Sequence, residues 1–265
     1  MLENGITSLY RVGGSTLQFI AYQILTNKNN EKWKEIEFIL NPCANPDGYA
    51  FTWGENRLWR KNRRPIGSSF GVDMNRNFDA NWQQGTEDAP GLTDPNSEIY
   101  CGTSAESESE TKAIADYMRK LNGTHVFLTL HSYSQLILRP PCSTNEPTVW
   151  EKKLKDIGND MRQSIRSAHG KQYTSQSAYD LYFTSGTSVE WVFMQKWKGK
   201  DNYFRSIPYV IELRPRPSFF GYGFLLPASQ IKPTGEEIWA AVKDVLVDEA
   251  LQGGLIEDEQ GNALN

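Results

Sequence analysis

The sequence lacks the features of several protein classes. None of its apolar runs is long enough to cross a bilayer, so we predict no membrane span. Residues 1–14 do not combine a positively charged start with an apolar stretch, and we expect no signal peptide there. With a net charge of −4 and a pI near 5.5, the chain has no excess of positive charge. This balance argues against a nucleic-acid or membrane-surface partner.

Cysteine and histidine are also scarce. The three cysteines, Cys43, Cys101 and Cys142, match no metal-binding spacing and leave at least one thiol unpaired in a monomer. The sequence favours three ordinary cysteines, while a Cys101–Cys142 disulfide stays open. His125 and His169 have no second ligand at a suitable spacing, and we predict structural roles for both.

The patterns that are present indicate one α/β domain of 265 residues. Helix-like and strand-like periodicities alternate along the chain, without an internal repeat or a linker. We predict four helices: one from Ser15, one from a Ser107–Glu110 capping box, one over 150–165 and one from a Thr234–Glu237 capping box. Strands are predicted over 36–40, 126–130 and 207–213. We expect long loops over 41–105 and a frayed tail from Gly253.

Two polar residues lie at the ends of the most apolar predicted strands. Glu212 follows Tyr209-Val210-Ile211, and burial there would raise its pKa toward that of a general base. Taken alone, Glu212 is more simply interpreted as the partner of Arg214 or Arg216. His131 ends the 126–130 strand, where α/β proteins place their sites, although a single histidine is more often a core residue.

Arginine is concentrated in two segments of the loop-rich region. Residues 56–64 hold five basic side chains, and residues 71–78 supply another arginine with amide neighbours. The first segment allows three interpretations: a nucleic-acid patch, a solvated loop or an anion site. The acidic composition argues against the first. Because guanidinium groups bind carboxylates through two hydrogen bonds, the two segments together favour a carboxylate pocket.

These segments together resemble the A/B-type zinc metallocarboxypeptidases, the M14 peptidase family. The matching segments are Asn45-Pro46-Asp47-Gly48-Tyr49, Asn56-Arg57-Leu58-Trp59-Arg60-Lys61, Gly71-Val72-Asp73-Met74-Asn75-Arg76-Asn77-Phe78, His131-Ser132-Tyr133-Ser134-Gln135, Tyr182 with Ser185-Gly186, Glu212-Leu213-Arg214 and residues 222–231. They follow the family's order from about residue 15 to residue 248. The resemblance implies an α/β fold with a mixed twisted sheet and helices on both faces. It also implies a Zn²⁺ cofactor and the release of C-terminal residues from peptides.

The resemblance assigns a role to each matching residue. Glu212 matches the general base, and Arg60 matches the residue that stabilises the oxyanion. Asn75 and Arg76 match the pair that binds the substrate's terminal carboxylate. Tyr182 matches the tyrosine that closes over the substrate, and Tyr133 matches a substrate-binding position. His131 matches the third zinc ligand. Val189 matches the pocket residue that is acidic in enzymes preferring basic C-termini.

Pocket specificity follows from the same matches. Val189 and Val210 give an apolar pocket floor, which favours an apolar or aromatic C-terminal residue. Cys142, Ser177 and Thr184 are also expected to approach the pocket.

The resemblance fails at the family's other two zinc ligands. When Gly5-Ile6 is aligned with the family's Gly-Ile, Thr7 occupies the place of a histidine and Tyr10 that of a glutamate. Leu9 replaces a substrate-contacting arginine. Ser69 and Asn96 stand where the family has a disulfide. Catalytic zinc needs three protein ligands, so we expect His131 alone to hold no metal.

Two explanations of these losses differ in function. The first is a truncated carboxypeptidase without N-terminal strands, divided into a divergent segment (1–14), the catalytic domain (15–250) and a polar acidic tail (251–265). The second is a non-catalytic relative that binds peptide C-termini. The sequence favours the first, because missing internal strands would expose unpaired backbone. The resemblance further implies an extracellular monomer.

Overall fold

The computed structural model describes residues 1–4, 7, 9–27, 29–218 and 221–264. Within these ranges the helices are α1 (Arg11–Thr26), α2 (Pro46–Gly54), α3 (Ser109–Lys120), α4 (Glu151–His169), α5 (Ser188–Met194), α6 (Ile231–Ala241) and α7 (Val247–Leu251). The strands are β1 (Leu2–Asn4), β2 (Leu40–Asn41), β3 (Pro65–Ile66), β4 (Ser69–Phe70), β5 (Val126–Ser132), β6 (Leu136–Arg139), β7 (Thr174–Ser177), β8 (Trp197–Lys198), β9 (Tyr203–Arg205), β10 (Ile207–Leu213) and β11 (Leu255–Glu257).

A six-stranded mixed sheet forms the centre of the molecule, in the order β2-β1-β5-β10-β6-β7. All neighbouring strands are parallel except β10 and β6, which are antiparallel. The two longest strands, β5 and β10, lie side by side in the middle of the sheet. Their buried, apolar sequences are typical of strands covered on both faces.

Helices cover both faces of the sheet. On one face, α1, α4 and α6 pack over Leu128 and Leu130 of β5 and Tyr209 and Ile211 of β10. On the other face, α3 and α5 pack with Phe127. The predicted α/β class and mixed sheet are therefore confirmed. The alternation of side chains along β5 leaves His131 on the same face as Phe127.

Several predicted elements agree with the structure, and others differ at their ends. The 207–213 strand is confirmed, while β5 continues to Ser132. Helix α1 begins at Arg11, four residues before Ser15. The segment predicted as long loops contains α2. There Pro46 occupies the first turn and the Asn45 side chain accepts a hydrogen bond from the Gly48 N–H, an N-cap.

Both predicted capping boxes are wrong. The Ser107 hydroxyl donates to the Glu108 carboxylate, and α3 begins at Ser109. The Thr234 hydroxyl donates to the carbonyl of Gln230 inside the first turn, because α6 already begins at Ile231. A π-helical turn, Val242–Leu246, then joins α6 to α7.

Two further predictions, the 36–40 strand and the frayed C-terminal tail, differ from the structure. The predicted 36–40 strand reduces to Leu40–Asn41, which pairs with β1. The tail is not frayed throughout: Leu255–Glu257 forms β11, pairs with β9 and buries Leu255 completely. Leu2–Asn4 form the buried strand β1 inside the sheet. The division at residues 14 and 250 stays a prediction.

The three cysteines are free thiols, so there is no Cys101–Cys142 disulfide. Within the part of the chain that the structure describes, no helix combines the length and the apolar character that a membrane crossing requires.

Candidate active site

The site lies at the carboxyl ends of the two central strands. His131 of β5 and Glu212 of β10 are register partners, so parallel pairing brings their side chains together. His131 Nδ1 is 3.7 Å from Glu212 Oε1. Both predicted positions are therefore adjacent at the sheet edge where sites of open α/β folds form.

Burial controls the charge of this pair. It raises the pKa of Glu212 to about 8, against a smaller opposing effect of the Arg60 guanidinium. It lowers the pKa of His131 to about 3, and the positive charge of Arg60 acts in the same direction. At neutral pH the imidazole is therefore uncharged, and the carboxyl is largely protonated.

Arg60 is held by a buried carboxylate. Its Nε and Nη2 donate to Asp73 Oδ2 at 3.0 and 2.8 Å, and its Nη1 donates to the Tyr10 hydroxyl at 3.2 Å. Burial alone would lower the pKa of Arg60, but the charge of Asp73, the hydrogen bonds to it and the neighbouring Tyr10 together raise this pKa above its ordinary value. The pKa of Asp73 is correspondingly lowered, because Arg60 and Arg76 outweigh the effect of burial. This ion pair fixes a permanent cation at the pocket wall.

Asn75 and Arg76 form the second polar wall. Both residues are buried in a short 3-10 turn that follows Asp73. The Asn75 side-chain oxygen accepts a hydrogen bond from the Ser188 N–H, so its amide nitrogen is the group that can donate to a ligand. Arg76 Nη1 donates to the Asn75 carbonyl. Two arginines and one amide donor thus border one pocket.

The rest of the pocket is largely apolar. Its floor is a buried cluster of five side chains: Leu138, Cys142, Ala178, Val189 and Val210. Burial raises the pKa of the Cys142 thiol to about 12, so this cysteine is uncharged at neutral pH. Leu181, Tyr182 and Thr184 line the pocket as well, and Tyr182 is 56% exposed. An exposed aromatic side chain next to the pocket can move over a ligand without disturbing the core.

Most residues that the sequence assigns to the site line this one pocket, with two exceptions. Tyr133 is not a lining residue, but its ring packs edge-on against Phe224, with 4.9 Å between ring centroids. Ser177 donates to the carbonyl of Pro141 and does not line the pocket. The two simpler partners proposed for Glu212 are occupied elsewhere, since Arg214 pairs with Glu237 and Arg216 donates to the Gln172 carbonyl.

The basic segment 56–64 contributes one residue to the pocket. Arg57 donates to the carbonyls of Leu9 and Phe224. Arg63 packs over the rings of Phe51 and Trp59, and Arg64 pairs with Glu108. Only Arg60 of this segment lines the pocket. The remaining cations stabilise the surrounding loops.

His125 and His169 lie outside the pocket, in agreement with structural roles. His125 packs edge-on against Phe204, and burial lowers its pKa. His169 contacts Glu236 at 2.7 Å.

Of the three positions at which the resemblance places zinc ligands, only His131 keeps the ligand type. Across the described residues, no group of three His, Cys, Asp or Glu side chains is placed to hold a metal. Thr7 and Tyr10 offer neutral hydroxyl groups, which are poor zinc ligands, and burial raises the pKa of Tyr10 to about 12. The Thr7 hydroxyl is buried and has no hydrogen-bond partner in this part of the chain. Gly5 and Ile6, the anchors of the predicted alignment, lie outside the described residues.

Two contributors to the site have no role in the sequence-based predictions. Asp73 lies within a matching segment, but the sequence does not predict its pairing with Arg60. Phe224 stacks on Tyr10 with 5.8 Å between ring centroids. The available signal for Asp73 was an acidic residue among arginine-bearing loops, where a buried carboxylate needs a cationic partner.

Comparisons with known proteins agree with this arrangement. A family model described as zinc carboxypeptidase matches residues 8–241. A zinc carboxypeptidase of Simulium vittatum is 36% identical over 254 residues, which cover 93% of this chain and 79% of that protein. Bovine carboxypeptidase B is 39% identical over 215 residues, which cover 80% of this chain and 48% of that protein.

A solved structure of bovine thrombin-activatable fibrinolysis inhibitor in complex with tick carboxypeptidase inhibitor has the same fold. It superimposes with a TM-score of 0.83 and 29% identity, covering 95% of this chain and 81% of that one. The present chain spans only part of several curated relatives, including 57% of mouse carboxypeptidase A4.

Proposed function

Because the chain belongs to the zinc carboxypeptidase family, a family of hydrolases, we propose that its pocket receives the free C-terminal end of a peptide or protein. Arg76 and Asn75 bind the terminal carboxylate, and the last side chain enters the apolar pocket. We propose further that this chain binds the ligand without hydrolysing it, since Thr7 and Tyr10 replace the two zinc ligands that the family has at these positions.

One observation supports this proposal most strongly: two arginines and an amide meet at the rim of an apolar pocket. An anionic group beside an apolar side chain is the chemical description of a peptide C-terminus. Guanidinium groups bind carboxylates through charge-assisted hydrogen bonds, which are stronger than those between neutral groups. Asp73 neutralises part of the charge of Arg60, so Arg76 is the main carboxylate-binding cation.

We propose an apolar or aromatic last residue as the preferred ligand. Val189 and Val210 are both buried in the pocket floor, and the neutral Cys142 thiol adds no charge. A charged ligand side chain would lose its hydration there without gaining a partner. An apolar side chain would gain free energy from the surface that it buries.

C-terminal hydrolysis is the alternative function, and the retained Glu212 favours it. With a pKa near 8, this carboxyl lies close to the value that a general base needs at neutral pH. In the family this residue acts with a zinc-bound water. If zinc were bound here by means that the structure does not show, hydrolysis of C-terminal residues would be sensitive to a chelator.

The experiment is a binding titration with two peptides that differ only at the C-terminus. A fluorescein-labelled peptide ending in Phe with a free carboxylate is compared with its C-terminal amide, both in the presence of EDTA. We expect the carboxylate peptide to bind at least tenfold more tightly. Arg76→Gln should remove this difference, whereas Arg216→Gln, at an exposed arginine, should preserve it. Equal affinity for the carboxylate and the amide would contradict the proposal.

The partners of this site are accordingly peptide or protein C-termini. The monomeric state and the extracellular location that the family resemblance implies are predictions as well. Size-exclusion chromatography with light scattering tests the first. Secretion of the full-length gene product from cells tests the second.

A further inference from the structure

Tyr10 is a polar residue at the centre of the site to which the family resemblance gives no function. Its ring contacts two others: the centroid of His131 is 5.1 Å away and that of Phe224 is 5.8 Å away. Only 5% of its surface is exposed, and it borders the same pocket as Arg60, Arg76 and Glu212. These ring contacts and the burial of the side chain restrict the position of the hydroxyl.

The hydrogen bonds of the Tyr10 hydroxyl are incomplete. Its oxygen accepts a hydrogen bond from Arg60 Nη1 at 3.2 Å. A phenol can also donate one hydrogen bond, and across the described ranges the Tyr10 hydroxyl has no acceptor for it. Buried donors without an acceptor are rare in native proteins, since each costs free energy. Since Tyr10 lines the pocket, a ligand bound there can supply this acceptor.

Electrostatics keeps this hydroxyl a donor. A phenol has an ordinary pKa near 10, so the Tyr10 hydroxyl retains its proton at neutral pH. The guanidinium of Arg60 withdraws electron density from the hydroxyl oxygen and strengthens its capacity to donate. Asp73 holds that guanidinium in place through two of its N–H groups. Tyr10, Arg60 and Asp73 together form a polarised donor without a metal ion.

We propose that Tyr10 binds the carbonyl oxygen of the ligand's last peptide bond, through a hydrogen bond from its hydroxyl. The site thereby recognises an acylated C-terminal residue rather than a free amino acid, and it does so without zinc. This role depends on the proposed function, since the ligand must first place its terminal carboxylate on Arg76 and Asn75.

The carbonyl oxygen is favoured over the terminal carboxylate for two reasons. First, the carboxylate is an anion and is better matched by the arginine and amide of the other wall. Second, successive residues of a peptide are about 3.8 Å apart, so the last peptide bond lies within the same pocket as the carboxylate. A neutral donor between Arg60 and Glu212 suits a neutral acceptor such as a peptide carbonyl.

The test uses two small ligands, one with the acyl group and one without it. N-acetyl-L-phenylalanine carries the carboxylate, the phenyl ring and the acyl carbonyl, while 3-phenylpropanoate lacks the acylamino group. Their affinities are measured by isothermal titration calorimetry in EDTA, for the wild type, Tyr10→Phe and Tyr22→Phe. Tyr22 is exposed and serves as the matched control. Binding of 3-phenylpropanoate also shows whether each variant is folded.

We expect Tyr10→Phe to weaken the binding of N-acetyl-L-phenylalanine about threefold to tenfold, the effect of one neutral hydrogen bond. The affinity for 3-phenylpropanoate should stay within twofold. Tyr22→Phe should change neither. If both ligands bind and Tyr10→Phe weakens neither or both equally, the role of Tyr10 is overturned while the proposed function stands. If neither ligand binds the wild type, the proposed function fails and the role of Tyr10 fails with it.

Discussion

Asp73 Oδ2 accepts hydrogen bonds from both Nε and Nη2 of Arg60, at 3.0 and 2.8 Å. The Asp73 side chain is 2% exposed and that of Arg60 is 18% exposed, so water screens this pair only weakly. The pair connects two loops, one before β3 and the other after β4. It therefore supports both the fold of the pocket wall and the position of the cation that borders the ligand.

Replacing Asp73 by Asn should destabilise the protein. The substitution leaves the buried Arg60 cation without its counter-charge, a change that typically costs about 3 kcal/mol or more of unfolding free energy. Urea denaturation followed by tryptophan fluorescence measures this change. Asp116→Asn is the matched control, because Asp116 pairs with Lys112 on the exposed surface of α3 and should matter far less. A loss no larger than that of the control would contradict the importance of the Asp73–Arg60 pair.

Replacing Val189 by Asp should change the ligand preference. Val189 is 1% exposed in the pocket floor, and a carboxylate there disfavours an apolar side chain but can pair with a cationic one. We expect peptides ending in Phe to bind at least tenfold more weakly and peptides ending in Lys to gain affinity. Fluorescence anisotropy with both peptides checks this, with Val149→Asp at an exposed valine as the control. An unchanged ratio of the two affinities would place the specificity pocket elsewhere.

The buried carboxyl of Glu3 should make the stability of the folded protein depend on pH. It lies in the buried strand β1 opposite Thr129, and burial raises its pKa from 4.5 to about 8. Neither carboxyl oxygen has a well-formed hydrogen bond among the described residues. Because the folded state favours the protonated form, the contribution of Glu3 is fully present below about pH 4.5 and is lost as the pH rises toward 8.

Glu3→Gln should therefore stabilise the protein by about 3 kcal/mol at pH 7 and much less at pH 4. Thermal or urea unfolding of the wild type and the variant at the two pH values measures the difference. The exposed Glu35→Gln should show no such dependence. If Glu3→Gln has the same effect at both pH values, Glu3 is not a buried carboxyl with a raised pKa.

The sequence predicted the parts of the fold that depend on local apolar patterns. The strand 207–213 and most of β5 were recognisable as continuous apolar runs, which only a doubly covered strand explains. Helix α2 was missed because Asn45 and Pro46 are as typical of a loop as of a helix start. The capping boxes failed because the Ser107 hydroxyl donates to the adjacent Glu108 carboxylate and the Thr234 hydroxyl to the carbonyl of Gln230, instead of accepting from free N–H groups.

The sequence predicted which residues form the site, but not which of their side chains contact one another. The matched motifs named Glu212, Arg60, Asn75 and Arg76, and the structure brings these residues to one pocket. The partner of Arg60 was not predictable, because Asp73 is 13 residues away in an irregular segment. Only the folded chain shows that the Tyr10 hydroxyl meets the same guanidinium.

The metal content of the purified protein tests the central claim most directly. The folded wild type is incubated with zinc, desalted, and analysed by inductively coupled plasma mass spectrometry. The variant Thr7→His/Tyr10→Glu, which restores the ligand types that the family has at these positions, serves as the positive control. We predict well below one zinc ion per wild-type chain and close to one per chain of the variant. Stoichiometric zinc in the wild type, together with chelator-sensitive release of C-terminal residues, would contradict the account.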